Sequence, residues 1–216
     1  FFKEVSFRQW PEDIRMHYGY ALDYYREKLY FDVEFQKYLQ FKFWQQWSRL
    51  KAYANSKNIQ IVGDIPIYVS PDGSDIWAHP ELFQLDEGLN PTAVAGVPPD
   101  AFTADGQLWG NPLYRWDLMK EDGYSWWLRR LEAAGKLYDV IRIDHFRGFE
   151  SYWAVPGDAR TAKDGHWVKG PGMDLLGVLK RWFPDLQFIA EDLGYLTPEV
   201  KQLLEDFGFP GMKVLE

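Results

Sequence analysis

Apolar positions along the chain recur at two spacings, and each spacing predicts a different kind of element. Between about residues 20 and 58, apolar and aromatic side chains return every three or four positions, with Lys, Arg, Glu and Gln between them. This spacing is typical of an amphipathic helix. Phe31-Asp32 can divide the stretch into two helices, with Asp32 as the N-cap of the second. We interpret its many Phe and Trp side chains as packing on a sheet, and we expect residues 1–19 to be irregular.

Farther along the chain, short runs of β-branched and apolar residues predict strands. These runs lie at 59–69, 140–144, 187–190 and 212–215. Helical spacing separates the later runs, at 125–135 with Gly135 as the C-terminal stop, at 173–183, and at 198–207 with Thr197 as N-cap. Strands that alternate with helices predict an α/β fold built on a parallel sheet or barrel.

Two long segments, 70–118 and 149–172, show no sustained periodicity and are rich in Pro, Gly and Trp. A connection that long inside a compact domain is normally functional, or it forms a small subdomain. Trp residues in these segments could line a ligand groove or could be buried as loop anchors.

Acidic residues follow three of the predicted strands: Asp64, Asp144 and Glu191. If the strands are parallel and adjacent, these acids meet at one end of the sheet. Arg142 and Asp144 are two positions apart on one strand and therefore share a face, so the cation favours the ionised carboxylate that a nucleophile requires. Two carboxyl groups about 5–5.5 Å apart are what a retaining glycosidase uses, one as nucleophile and one as acid/base. Glu191 fits the proton donor, because a nearby carboxylate favours its protonated form.

A simpler interpretation stays open for each of these acids, since strand-end carboxylates often cap helices or anchor loops. Asp192 directly follows Glu191 and faces the opposite way, which favours a capping or supporting role. His145 could likewise be a structural histidine.

Composition narrows the classes of function. The net charge of −8 and pI near 5.1 argue against a nucleic-acid partner, and no apolar run is long enough for a membrane span. The chain has no cysteine, and no His pair or acid cluster has the spacing of a metal site. Aromatic residues make up 18% of the chain, an excess that suits polyhydroxy ligands. The chain lacks an initiator Met and is interpreted as an internal piece of a longer protein.

Five segments together resemble the 4-α-glucanotransferases, the amylomaltase or disproportionating enzymes of glycoside hydrolase family 77. They are RIDHFRG at 142–148, AEDLG at 190–194, GDIPIYV at 63–69, PPD at 98–100 and WGNPLY at 109–114. The resemblance implies a (β/α)8 barrel of the α-amylase superfamily and transfer of α-1,4-glucan segments through a covalent glucosyl-enzyme. Residues 1–216 would form the central part of that barrel, about strands 3 to 6, with 70–118 inserted between the third and fourth strands.

The resemblance also implies roles for single residues. Asp144 falls on the nucleophile, Glu191 on the acid/base, Arg142 on the arginine that holds the nucleophile, and His145 on the histidine beside it. The implied ligand is an α-1,4-glucan or maltooligosaccharide, with no cofactor and no metal. The positions implied to bind it are Asp64, Tyr68, Asp100, Phe102, Trp109 and Asn111.

Two departures from the family pattern matter. Some members carry Tyr at the position of Ala101. Plant-like members have Ala there, as this chain does. The family's third catalytic acid lies on barrel strand 7, beyond this chain, so the remaining strands of the same polypeptide are an expected partner and residues 1–216 alone are expected to be inactive. An α-1,4-glucan hydrolase of the same superfamily and a non-catalytic carbohydrate-binding fragment stay open as alternatives. The expected location is the cytoplasm, or a plastid for a plant-like source.

Overall fold

The first of two structural units is helical. The computed structural model describes residues 1–194 and 196–215 and divides the chain into Phe1–Gln60 and Ile61–Glu216. The first unit consists of a 3-10 turn (Phe7–Gln9), α1 (Glu12–Arg15), α2 (Gly19–Lys28) and α3 (Tyr30–Ser56). The expectation of an irregular segment 1–19 is therefore wrong in part, and the break between the long helices lies at Leu29 rather than at Phe31-Asp32.

The aromatic side chains of α3 are exposed or only partly buried. No residue of this helix is buried, and Phe31 is 85% exposed. Rings contact one another along the helix instead, as Phe43 and Trp47 do with centroids 5.8 Å apart. The predicted helix is thus confirmed, and the packing of its rings on a sheet stays a prediction.

The second unit carries two β-sheets with helices between the strands. In chain order it contains β1 (Val62–Pro66), α4 (Ser74–Ala78), β2 (Ala93–Val97), β3 (Gln107–Pro112), α5 (Trp116–Glu121), α6 (Ser125–Leu137), β4 (Val140–Asp144), β5 (Ser151–Pro156), β6 (His166–Lys169), α7 (Gly172–Trp182), β7 (Gln187–Ala190) and α8 (Pro198–Phe207). Short 3-10 turns lie at Pro80–Leu82, Phe146–Phe149 and Ala162–Asp164.

The first sheet is parallel, with strand order β1-β4-β7. One face is apolar and buried, as at Ile141 and Ile143, and α6 contacts β1 and β4. The other face carries Asp64, Arg142 and Asp144, with Asp64 directly opposite Arg142 across the β1–β4 pair. Because side chains alternate along a strand, the register that buries the isoleucines places the charged residues together on the opposite face.

A close approach between layers explains the glycine in β1. A Cβ atom at Gly63 would lie 2.0 Å from the ring of Tyr138, which precedes β4. Only glycine lets the strand and this ring lie so near each other.

The second sheet is antiparallel, with strand order β3-β2-β5-β6. Its strands come from both long segments that lack periodicity, and its small core contains Val94, Val155 and Ala162. The two segments thus form a subdomain, which was one of the two expected alternatives. Alternation failed to reveal these strands because they are short and interrupted by Gly and Pro.

One predicted helix boundary and one predicted strand are wrong. Helix α6 continues through Gly135 to Leu137, and the Tyr138 N–H still bonds to the Ala134 carbonyl. The predicted strand at 212–215 is not formed, although Pro210 O accepts a hydrogen bond from Ala190 N (2.9 Å). One such bond brings the chain beside β7 without making a ladder.

Candidate active site

Arg142 joins two acids at the C-terminal end of the parallel sheet. Its Nη1 lies 2.5 Å from Asp64 Oδ1 and 2.9 Å from Asp144 Oδ1. The predicted ion pair between Arg142 and Asp144 is confirmed, and the structure adds Asp64 from the neighbouring strand. A single guanidinium nitrogen therefore fixes the position of one carboxylate relative to the other.

The exposure of this trio increases from the arginine outward. The Arg142 side chain is 23% exposed, that of Asp144 is 44% exposed and that of Asp64 is 59% exposed. Ion pairs with such exposed partners add little to the free energy of unfolding. Their main effect here is to orient an accessible carboxylate.

Glu191 is the first residue after β7 and is bonded to the turn that follows Asp144. Its Oε2 accepts a hydrogen bond from His145 N–H (2.9 Å) and its Oε1 accepts one from Leu193 N–H (2.8 Å). Its backbone is held too, since Glu191 N–H donates to Ile143 O (2.9 Å) and Phe146 N–H donates to Glu191 O (3.2 Å). The candidate acid/base and the candidate nucleophile thus belong to two strand ends that are bonded to each other.

His145 turns the chain sharply after β4. It adopts left-handed backbone angles (φ 52°, ψ 47°) before the 3-10 turn that begins at Phe146. Burial, together with the smaller effect of the Arg147 guanidinium, lowers the pKa of His145 to about 4, while Asp144 acts in the opposite direction. The imidazole is therefore neutral at physiological pH and can contribute hydrogen bonding without charge.

Trp109 reaches this site from β3 in the antiparallel sheet. Its ring is partly exposed and lies 4.7 Å from the ring of His145, at an interplanar angle of 83°. On its other contacts, Trp109 Nε1 donates to Gln107 Oε1 (3.1 Å), and its ring lies 6.3 Å from that of Tyr68. An aromatic surface thus stands beside the strand ends that carry the acids.

Tyr68 and Asn111 hold the site together more than they face outward. Tyr68 is buried, and its ring stacks on that of Tyr114 with centroids 6.1 Å apart. The Asn111 side-chain amide donates to Val69 O (2.8 Å). Both contacts thus connect the segment after β1 to β3 and to the residues that directly follow β3.

Asp100 organises the exposed loop between β2 and β3. Its Oδ1 accepts hydrogen bonds from Phe102 N–H (2.8 Å), Thr103 N–H (2.7 Å) and Thr103 Oγ1 (3.0 Å). These bonds, those of Thr103 N–H first and Phe102 N–H next, lower the pKa of Asp100. Phe102 stands at the tip of the loop, 95% exposed.

Three further residues support the site and were not identified from the sequence. Tyr114 Oη donates to Ile67 O (2.7 Å), and Arg130 Nη2 donates to Pro66 O (2.6 Å), so both fix the chain just after Asp64. Met212 Sδ accepts a hydrogen bond from Arg142 Nε (3.2 Å). Tyr114 closes the WGNPLY segment, which could have drawn attention to it; neither Arg130 nor Met212 carries a local signal.

Within the described residues 1–194 and 196–215, no group of three or more His, Asp or Glu side chains is arranged to hold a metal ion. Over the same ranges, none of the helices combines the length and the apolarity needed to cross a membrane.

The five motifs, the strand-end acids and their arginine together define a family. The sequence model of the 4-alpha-glucanotransferase family, glycoside hydrolase family 77, matches residues 1–216. The chain belongs to this family.

Relatives within the 4-alpha-glucanotransferase family match the whole chain. The 4-alpha-glucanotransferase of Streptococcus pneumoniae serotype 4 is 51% identical over 100% of this chain and 43% of its own length. That of Clostridium butyricum is 48% identical over 100% of this chain and 44% of its own length. An amylomaltase from Streptococcus agalactiae, solved in complex with acarbose, superposes with a TM-score of 0.94 at 47% identity, over 99% of this chain and 43% of that one. The chain thus spans less than half the length of these 4-alpha-glucanotransferases.

Proposed function

We propose that the complete protein transfers α-1,4-glucan segments from one maltooligosaccharide to another, or to glucose, with retention of configuration. The observation that carries this proposal is the bridge from Arg142 to Asp64 and Asp144, one strand away from Glu191, in a chain that belongs to the 4-alpha-glucanotransferase family. The acarbose complex of the Streptococcus agalactiae relative supports an oligosaccharide as ligand.

In the first step Asp144 attacks the anomeric carbon of the donor glucan. The bond from that carbon to the glycosidic oxygen breaks, and Glu191 donates a proton to the departing oxygen. The product is a covalent glucosyl ester on Asp144 and a shortened glucan with a free hydroxyl group. We expect the two carboxyl groups to stand about 5–5.5 Å apart during this step, as retention requires.

Arg142 prepares Asp144 for the attack. A guanidinium nitrogen at 2.9 Å holds the Asp144 carboxyl group in place, and the second contact to Asp64 restricts rotation of the arginine. Asp64 itself is the most exposed member of the trio and is proposed to bind hydroxyl groups of the donor sugar.

Glu191 has to change its contacts to act as the proton donor. Both of its carboxylate oxygens accept backbone N–H groups, from His145 and from Leu193. We infer that at least one of these bonds is released when a sugar binds, so that one oxygen can reach the glycosidic oxygen.

In the second step Glu191 acts as a base. It removes the proton from the 4-hydroxyl of an acceptor sugar, which attacks the ester and frees Asp144. Transfer exceeds hydrolysis when the acceptor sugar occupies the site and displaces water. We propose that Trp109, Phe102 and Tyr68, together with Asp100 and Asn111, form and support the sugar-binding walls around this reaction.

We also propose the place of this chain in the whole enzyme. Its three parallel strands would be strands 3 to 5 of a (β/α)8 barrel, and 212–215 would form the sixth strand once the rest of the polypeptide is present. Residues 1–216 would then cover about strands 3 to 6, with 70–118 as the insertion between the third and fourth. The rest of the polypeptide would complete the barrel and supply the third catalytic acid. We propose the cytoplasm as its location, or a plastid if the source is plant-like.

Product analysis of the complete protein tests this function. Incubation with maltotriose should give glucose together with longer oligosaccharides, because each glucosyl-enzyme passes to a sugar. Shorter products alone would show a hydrolase instead, and unchanged maltotriose would show a protein that binds carbohydrate without turnover.

A further inference from the structure

The chain that follows α8 returns to the active site by way of an anchored turn. Helix α8 ends at Gly208, which has left-handed backbone angles (φ 67°) and lets the chain reverse. The next residue, Phe209, packs its ring 5.0 Å from Phe188 in β7 and 5.8 Å from Phe146, which follows His145. The turn is therefore tied to both strands that carry the candidate catalytic acids.

Asp192 fixes the end of this turn. Its Oδ1 accepts a hydrogen bond from Met212 N–H (2.7 Å). A Cβ atom at position 211 would lie 2.0 Å from Asp192 Oδ2, so a side chain in place of Gly211 would displace this carboxylate. Pro210 O accepts from Ala190 N–H (2.9 Å) on the same side. The backbone is thus held by hydrogen bonds at Pro210 and at Met212, on either side of Gly211.

Met212 connects this anchored turn to Arg142 in the active site. Its sulfur accepts a hydrogen bond from Arg142 Nε (3.2 Å), while Nη1 of the same guanidinium contacts Asp64 and Asp144. The guanidinium is planar, so fixing Nε fixes the direction in which Nη1 points. The thioether is a neutral, weak acceptor. It can therefore orient the cation without adding a third negative charge that would compete with the two carboxylates.

From these contacts we infer that Asp192 and Met212 are positioning residues for Asp144. They act through Arg142 and touch no sugar. The inference rests on the proposed function, in which Asp144 is the nucleophile. A nucleophile has to stand within a fraction of an ångström of its attack position, and misplacement of about 1 Å can cost about 100-fold in rate. Met212 and Asp192 supply this accuracy from behind the arginine.

Steady-state kinetics of the complete protein with maltotriose test the inference. Met212→Leu keeps an apolar side chain of similar volume but removes the acceptor for Arg142 Nε. We expect kcat to fall about tenfold while KM stays within about twofold, because only the reacting geometry changes. Met173→Leu is the matched control, since Met173 is exposed on α7. It should behave like the parent.

Asp192 offers a second pair of variants. Asp192→Ala removes the acceptor for Met212 N–H and should reproduce the loss of kcat. Asp192→Asn retains an oxygen at Oδ1 that can accept the same bond, and should restore kcat to within about threefold of the parent. A residue that merely stabilises the fold would not give this rescue together with an unchanged KM.

The outcomes separate this inference from the proposed function. The inference alone is overturned if the parent produces longer oligosaccharides and the kcat of Met212→Leu lies within about twofold of that of Met173→Leu. So does a loss of kcat that only follows a loss of folded protein in the thermal melt. If the parent itself is inactive, the proposed function fails. The crystal structure of Met212→Leu then decides: an Arg142 guanidinium that keeps its orientation overturns the positioning role, and a rotated one supports it.

Discussion

The indole ring of Trp109 stands edge-on to the imidazole of His145, with centroids 4.7 Å apart and planes at 83°. Trp109 belongs to β3 of the antiparallel sheet, whereas His145 directly follows the central parallel strand. Edge-to-face contacts of this kind hold two rings in a defined relative orientation. The antiparallel sheet therefore contributes to the site, because it places an aromatic side chain against the turn that follows Asp144.

Replacement of Trp109 should weaken sugar binding more than chemistry. In the complete protein, we expect Trp109→Ala to raise KM for maltotriose about tenfold, since an aromatic contact contributes about 1 kcal/mol or more. Trp109→Phe keeps a ring beside His145 and should lie between Ala and the parent. Trp182→Ala, at an exposed tryptophan that ends α7, is the control. An unchanged KM in Trp109→Ala would show that this ring does not face the substrate.

His145 should make stability depend on pH in the acidic range. Its pKa of about 4 in the folded state lies below the ordinary value of 6.5, so the unfolded chain binds this proton first. Its stabilising contribution is complete above pH 6.5 and falls as the pH is lowered from 6.5 toward 4. His145→Asn removes the titration and suits the left-handed backbone, because asparagine tolerates it.

Thermal melts of the complete protein between pH 7 and pH 4.5 check this expectation. The difference in Tm between the parent and His145→Asn should shrink as the pH falls, since only the parent loses the contribution of the histidine. His166→Asn, at an exposed position in β6, should not show this narrowing. A difference in Tm that stays constant for His145→Asn would mean that the imidazole protonates alike in both states.

Asp100 permits a separation of loop support from sugar contact. The three hydrogen bonds that the Asp100 side chain accepts all fall on Oδ1, and the amide oxygen of asparagine can accept them as well. Asp100→Ala should therefore raise KM for maltotriose severalfold by releasing the loop that carries Phe102. If support is the only role, Asp100→Asn keeps a KM close to that of the parent. If both variants are equally impaired, the charge itself contacts the substrate.

Sequence patterns identified the parallel sheet because its signals are local. The β-branched run before Asp144 and the Ala-Glu-Asp end of β7 were both placed correctly, and the neighbouring Arg142 and Asp144 were correctly expected to pair. Membership in the 4-alpha-glucanotransferase family followed from motifs of this kind.

The features that sequence patterns missed depend on contacts between distant residues. The bond between Arg142 and Met212 spans seventy positions, and a thioether gives no sign that it will accept a hydrogen bond. The antiparallel sheet joins strands from two segments whose alternation is broken by Gly and Pro. No sequence pattern predicted that both carboxylate oxygens of Glu191 would accept hydrogen bonds from backbone N–H groups.

Residues 1–216 expressed alone should not form a cooperatively folded enzyme. The sheet face that carries Asp64 is open, with Val62 55% exposed beside it, and α3 buries none of its aromatic side chains. Apolar surface of this extent favours association of partly folded chains. Near-ultraviolet circular dichroism, a thermal melt and an assay with maltotriose check the expectation. A cooperative melt accompanied by measurable transfer would contradict it.

Asp144 is proposed to form a covalent glucosyl ester whose breakdown Glu191 controls. Glu191→Gln of the complete protein should accept a maltotriosyl unit from α-maltotriosyl fluoride, because fluoride leaves without a proton donor, and then retain it for lack of a base. Peptide mass spectrometry should find the maltotriosyl adduct on the peptide that contains Asp144, and the double variant with Asp144→Asn should carry none. An adduct on another residue, or none despite release of fluoride, would contradict the assignment of the nucleophile.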